Sequence, residues 1–145
     1  MSYWDTSTLG KLYFPEADSP AFALKAASAT LIVTAKLALL EMRRVAFRKE
    51  SDGLIPANTA ETVLSQVDQD IAAGEIRVVE MDSQVEAEFN AIMARCYREA
   101  PPIPIRTFDA LHLATARVAG ATELVAADKR MRDAAKLLGF DLFPP

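Results

Sequence analysis

Four acidic residues stand where a cation site could be built. Asp5 follows the apolar pair Tyr3-Trp4, and Asp128 follows Leu124-Val125-Ala126-Ala127. Asp109 sits in Thr107-Phe108-Asp109-Ala110, and Glu41 in Leu37-Ala38-Leu39-Leu40-Glu41-Met42. Glu41 lies four residues after Leu37 and four before Val45, which puts it on an apolar face if the segment is helical. An ionised carboxylate on such a face is costly unless it is paired or bound to a cation. A salt bridge to a buried Arg is therefore the alternative to a metal at Glu41. Each Asp has a plainer role as well, because an acid at a helix start caps the helix or meets its dipole. The set is harder to explain that way, since four converging carboxylates repel one another without a cation. Hard oxygen donors, with only one His and one Cys in the chain, suit Mg²⁺ or Mn²⁺ and not zinc.

These acids converge only if the elements carrying them do. The pattern predicts a strand over Met1–Asp5, with Thr6 or Ser7 capping a helix from Leu9 to Phe14 that Pro15 stops. A helix over Pro20–Ala29 follows with Ser19 as its cap, then a strand at Leu31–Val33 and a helix over about Ala35–Lys49. Asp52-Gly53 and Pro56 break the chain before a helix from Asn58 or Thr59 to Gly74. Ile76–Glu80 reads as a strand and Ser83–Glu99 as a helix, and Pro101-Pro102-Ile103-Pro104 is an extended loop. Thr107 caps a helix to Ala119, closed by Gly120. Leu124–Ala126 is a strand, Lys129–Leu138 a helix ended by Gly139, and Phe140–Phe143 an edge strand. Strands alternating with helices imply a doubly wound, three-layer α/β/α fold with a mainly parallel sheet of about five strands. In such sheets ligands collect at the carboxyl ends of the strands, where Asp5 and Asp128 fall.

Size and composition narrow the class. The 145 residues suit one domain over 1–145 with its own core. One cysteine makes no internal disulfide, and the longest uncharged run, ten residues from Ala26 to Ala35, is too short to span a bilayer. The start, Met-Ser-Tyr-Trp-Asp, carries no signal-peptide pattern, so the expectation is a soluble, cytoplasmic protein. Sixteen Lys and Arg against twenty Asp and Glu give −4, which argues against nucleic-acid binding by a basic surface alone. Setting four carboxylates aside for a metal leaves 16 − 16 = 0, a neutral body with a negative pocket.

Other polar residues lie close enough to matter. His112 comes one helical turn after Asp109 and could reach the site, although helix packing or support of a ligand is the commoner role for a lone His. Arg106, Lys129 and Arg130 flank Asp109 and Asp128 and are candidates for phosphate contacts, or simply solvated surface. Arg43, Arg44, Arg48 and Lys49 form a basic helix end that suits a helix dipole, RNA or an acidic partner. Cys96 falls on the stripe Val85, Phe89, Ile92, Cys96 and reads as core, as does at least one of Tyr3 and Trp4.

Asp5-Thr6-Ser7, Glu41, Thr107-Phe108-Asp109-Ala110-Leu111-His112-Leu113-Ala114 and Ala127-Asp128-Lys129-Arg130 together resemble the PIN domain. Within it they resemble the VapC-type toxins of bacterial toxin–antitoxin pairs. The resemblance covers essentially the whole chain, and Asp-Ala-Leu-His-Leu-Ala with the order of the acids is its most specific part. It implies a metal-dependent endoribonuclease cutting single-stranded RNA, with Asp5, Glu41, Asp109 and Asp128 binding Mg²⁺ or Mn²⁺ and Ser7 as the auxiliary hydroxyl. It also implies a cognate antitoxin and a homodimer. One departure is Ala126, where many relatives carry Ser or Thr, so one hydrogen bond of the site is missing here. The alternatives are a catalytically silent PIN-like or receiver-like acidic binding module, or a non-toxin RNA-processing nuclease. A receiver module would want a second acid beside Asp5, and a haloacid-dehalogenase-like phosphatase an Asp at position 7. The chain has neither.

Overall fold

Short apolar strands separated by helices leave the chain little choice but parallel pairing through crossovers. The computed structural model describes residues 1–145. From β1 (Ser2–Trp4) the chain passes through α1 (Thr6–Gly10) and α2 (Ser19–Ser28) to β2 (Ile32–Ala35). It continues through α3 (Lys36–Ser51) and α4 (Ala60–Ala72) to β3 (Ile76–Val79). The second half adds α5 (Ser83–Tyr97), α6 (Thr107–Val118), β4 (Glu123–Val125), α7 (Lys129–Leu137) and β5 (Asp141–Phe143). Every strand pair is parallel, in the order β3-β2-β1-β4-β5.

That order winds outward from β1 to β3, then returns to the other side of β1 for β4 and β5. The switch point lies between β1 and β4, where Tyr3 pairs with Leu124 and Trp4 with Val125. The crevice beyond their carboxyl ends is where such sheets bind ligands.

Alternation along the strands divides the interior in two. Tyr3, Val33 and Leu124 face one way and pack with Val85 and Ile92 of α5, Leu113 of α6 and Met131 of α7. Trp4, Ile32 and Val125 face the other way, against Leu9, Phe22, Met42 of α3 and Leu64 of α4. Three layers result, with α1–α4 on one face and α5–α7 on the other. Cys96 lies fully buried in the first core, and Tyr3 and Trp4 are both buried completely. No helix is long and apolar enough to cross a membrane.

The helix starts differ from the sequence expectation in an informative way. α1 begins at Thr6, and its cap is Asp5, whose carboxylate accepts from the Thr8 amide at 2.8 Å. Thr107 is the first residue of α6 and caps nothing; extended Arg106 precedes it. Ser19 is likewise inside α2, and its hydroxyl accepts from the Glu16 amide at 2.9 Å. β2 extends two residues further than the apolar run suggests. Buried Thr34 belongs to it, because its hydroxyl donates to the Trp4 carbonyl at 2.8 Å and so needs no water. Gly74 and Gly120 end α4 and α6 as read, with φ of 81° and 76° that a side chain would strain.

Candidate active site

Asp5 leaves β1 and Asp128 leaves β4, so the two flank the switch point. Both are N-caps: the Asp128 carboxylate accepts from the Met131 amide at 3.1 Å, opening α7. Asp109 lies in the first turn of α6, and Glu41 comes from α3 on the opposite face of the sheet. The capping roles are therefore real, and the convergence is real too. All four acids line one open cleft of about 310 Å³, together with Ser7, Arg106 and His112.

Asp5 is buried and well supplied with donors. Its Oδ1 accepts from the Thr8 amide at 2.8 Å, the Thr8 hydroxyl at 2.7 Å and the Ser7 hydroxyl at 3.0 Å. Thr8 Oγ1 also lies 2.8 Å from the Val125 carbonyl, which ties Asp5 to the end of β4. Burial pushes the Asp5 carboxyl above the ordinary carboxylate range, and these hydrogen bonds hold it back only in part. An ionised Asp5 thus sits in an environment that favours a nearby positive charge.

Glu41 has no arginine partner, so the buried salt bridge weighed from the sequence is absent. Its Oε1 accepts from the Thr6 hydroxyl at 2.6 Å and lies 2.9 Å from His112 Nε2. His112 Nδ1 lies 2.6 Å from the hydroxyl of fully buried Tyr3. The geometry is satisfied when the phenol donates to Nδ1 and Nε2–H donates to Glu41. Burial above all, then the charge of Asp5, pushes the Tyr3 phenol well above its ordinary value, so it meets the imidazole as an O–H. Burial alone would raise Glu41, but the bonds from His112 and Thr6 outweigh it and hold the carboxyl below its ordinary value. Both bonds fall on Oε1, and Oε2 is left for the cleft. His112 supports the site from behind, as its position one turn after Asp109 allows.

Arg106 is the one Lys or Arg lining the cleft. Its Nε donates to Asp109 Oδ2 at 2.9 Å, its Nη2 lies 3.4 Å from Asp109 Oδ1, and the same Nη2 is 3.5 Å from Asp128 Oδ2. Pairing with Asp109 first, and Asp128 next, pushes the guanidinium further above its already high value. The arginine therefore occupies the electrostatic place of a cation between two acids. With it there, no three acidic, His or Cys side chains gather closely enough to hold an ion as they stand. The donor set nevertheless fits a hard divalent ion: four carboxylates, three of them at helix N-termini, and no thiolate. Arg106 is 60% exposed and stands on the rim of the cleft.

The other basic candidates do not reach the cleft. Lys129 is 86% exposed and pairs with Asp133 one turn along α7 at 2.5 Å, and Arg130 is exposed. A residue just after Asp128 in sequence points away because α7 turns there. At the end of α3, Arg43 pairs with Glu61, Arg48 with Asp52 and Lys49 with Glu16, so most of that basic cluster is spent within the chain. Ala126 is buried behind Asp128 and offers no hydroxyl, as the sequence departure implied. Sequence reasoning missed Thr6, Thr8 and the second role of Tyr3. Thr6 and Thr8 stood in the Asp5-Thr6-Ser7-Thr8 run as a signal, whereas nothing local connects Tyr3 to a histidine 109 residues later.

A doubly wound parallel sheet with acids from β1, α3, α6 and β4 at its switch point defines the class: the chain belongs to the PIN domain family, which it matches over residues 2–137. Among its relatives, Ribonuclease VapC35 of Mycobacterium tuberculosis is 30% identical over 151 aligned positions, covering 100% of this chain and 97% of that one. Two solved structures of toxin systems share the fold. VapC20 of Mycobacterium tuberculosis, described as a sarcin-ricin loop cleaving toxin, superposes with a TM-score of 0.66 at 20% identity, covering 92% of this chain and 95% of that one. A toxin–antitoxin complex from Klebsiella pneumoniae gives 0.59 at 15% identity, covering 88% and 87%.

Proposed function

We propose that this chain is a Mg²⁺- or Mn²⁺-dependent endoribonuclease that cuts single-stranded RNA as the toxin of a bacterial toxin–antitoxin pair. The observation that carries this reading is the single cleft at the switch point, lined by four carboxylates from four separate elements. Asp5, Glu41, Asp109 and Asp128 would hold the ion, which supplies charge to the scissile phosphate and acidifies water beside it. The protein's own part is positioning. Ser7 and Thr8 fix Asp5 through Oδ1, and Thr6 and His112 fix Glu41 through Oε1, so each acid keeps its second oxygen toward the cleft. Arg106, once turned out from Asp109, stands on the rim where a flanking phosphate passes.

Purified protein is expected to cut an unstructured RNA when Mg²⁺ or Mn²⁺ is present and to stop on chelation with EDTA. Cleavage that survives full chelation rules the metal mechanism out, and no cleavage under any divalent ion supports the silent binding module instead.

The same reading includes a homodimer and a small antitoxin. Leu24 of α2 and Leu40 of α3 are 74% and 62% exposed, apolar surface of the sort a partner covers. Light scattering at micromolar concentration is expected to give twice the 15.8 kDa chain mass. A monomer at that concentration counts against the dimer, and failure to bind the product of any neighbouring gene counts against the toxin.

A further inference from the structure

Phe108 is 55% exposed on a helix whose other apolar residues are buried, or half-buried at Leu111 and Val118. Ala110, Leu113, Ala114 and Ala116 of α6 are completely buried, and Asp109 and His112 nearly so. An aromatic ring ordinarily supplies a large buried area, so a ring kept in water beside an active cleft calls for an occupant. Its neighbours say which kind. Phe108 lines the acidic cleft, and it also lines an adjoining open pocket of about 380 Å³ shared with Glu41, Arg106, Thr107 and Asp109. That volume falls within the roughly 300–1,000 Å³ of small-ligand sites. No other exposed large apolar side chain touches either cavity.

The pocket thus offers one flat apolar face, one guanidinium at its lip and an immediate opening onto the carboxylates. A nucleotide needs that combination: a surface for the base, a cation for the phosphate, and the scissile bond held next to the acids. Unpaired bases stack on aromatic side chains with little regard to sequence, because every base has a π-face. We infer that Phe108 and Arg106 form a nucleobase subsite in which one unpaired base next to the cleavage point stacks on the Phe108 ring. The inference rests on the nuclease reading for its substrate, and it makes Phe108 a substrate-positioning residue. Because the residue is 55% exposed and lies outside both hydrophobic cores, its replacement is expected to leave the fold intact.

The test separates base binding from cutting. An unstructured oligonucleotide carrying 2-aminopurine at successive positions is titrated, without divalent ions, into full-length Asp5→Asn protein and into the same protein with Phe108→Ala, Phe108→Leu or Phe108→Trp. Fluorescence is expected to be quenched at one position. Phe108→Ala should weaken binding by about 5- to 150-fold, the range that one stacked base carries. Phe108→Leu should be nearly as weak, and Phe108→Trp should bind at least as well as Phe. In the wild-type background Phe108→Ala should raise KM for RNA by a similar factor with kcat little changed, and an abasic nucleotide at the quenched position should erase the difference.

Equal affinity of the Ala and Phe proteins overturns the inference, and so does a Leu protein that binds as tightly as wild type, since a merely apolar contact would explain that. Loss of self-association or of antitoxin binding in Phe108→Ala, with RNA affinity unchanged, assigns the face to a protein partner and overturns it equally. A wild type that never cuts while Phe108-dependent quenching persists removes the nuclease reading and leaves the subsite standing. A wild type that cuts with no dependence on Phe108 does the reverse.

Discussion

Asp5→Asn is expected to lower metal-stimulated RNA cleavage by several orders of magnitude while making the metal-free protein more stable at neutral pH. The two effects have one cause. Asn keeps an acceptor for the Thr8 amide, the Thr8 hydroxyl and Ser7, so the α1 cap survives and only the charge is lost. In the wild type, burial raises the Asp5 carboxyl above its unfolded value. Between those two values the folded chain holds more protons than the unfolded one, so stability falls as pH rises through that window and stays reduced above it. At neutral pH the ionised group is therefore a liability that Asn relieves, and at acid pH the two proteins should converge. A divalent ion reverses the order. A ligand that binds only the native state adds about 2.7 kcal/mol at a hundred times its Kd. Wild type should show that gain with Mn²⁺, and Asp5→Asn far less. Thermal melts at pH 5 and pH 8, with and without Mn²⁺, beside one cleavage assay, check the whole pattern. If Asp5 only caps α1, Asn leaves cleavage intact and Mn²⁺ shifts neither protein.

How much of this was readable from the chain depends on the kind of question asked. Strand and helix order was legible because apolar runs of strand length alternate with longer amphipathic segments, and Gly74 and Gly120 mark helix ends. The helix expected over Leu9–Phe14 up to Pro15 is instead Thr6–Gly10, because the Asp5 cap starts it three residues earlier and the chain turns from Lys11 on. The convergence of Asp5, Glu41, Asp109 and Asp128 was legible once a doubly wound sheet was expected, since such a sheet brings those positions to one edge. Partners across the fold were not. Helical spacing placed Glu41 on an apolar face correctly, but spacing names a face and not what lies opposite, so an arginine was weighed where His112 and Thr6 stand. Tyr3 read as core because it is core; a fully buried side chain that also carries a hydrogen bond leaves the same apolar signature. Arg106 and Lys129 looked equivalent beside their acids. They separate only in three dimensions, where Arg106 precedes its helix and folds back over Asp109 while Lys129 sits one residue inside α7 and points out. Cap assignments slipped at α1, where Asp5, Thr6 and Ser7 all offer acceptors and geometry picks Asp5, and at α6, where the helix starts after extended Arg106 with no side-chain cap at all.

Asp128 carries the clearest conflict between a structural role and a chemical one, and three substitutions resolve it. Its Oδ1 caps α7 through the Met131 amide, while its Oδ2 faces Arg106 in the cleft. Asp128→Ala removes both functions and is expected to destabilise the protein by about 1 kcal/mol, the ordinary loss of a good N-cap. Asp128→Ser keeps a capping oxygen of the preferred kind, and Asp128→Asn keeps both cap and shape. Those two should melt close to wild type in the absence of metal. The exposed Arg106 contact, 3.5 Å long and with Arg106 still held by Asp109, adds little to be lost. All three variants should nevertheless lose RNA cleavage by several orders of magnitude and bind Mn²⁺ more weakly, because none supplies a carboxylate. Stability then follows the cap and activity follows the charge. If cleavage instead tracks melting temperature, with Ser and Asn active and Ala impaired, Asp128 is a cap and the ion, if one is bound, is held by Asp5, Glu41 and Asp109 without it. Calorimetric Mn²⁺ titration of the Ser variant distinguishes the two outcomes directly, since that variant isolates the missing carboxylate in a helix that still starts where it should.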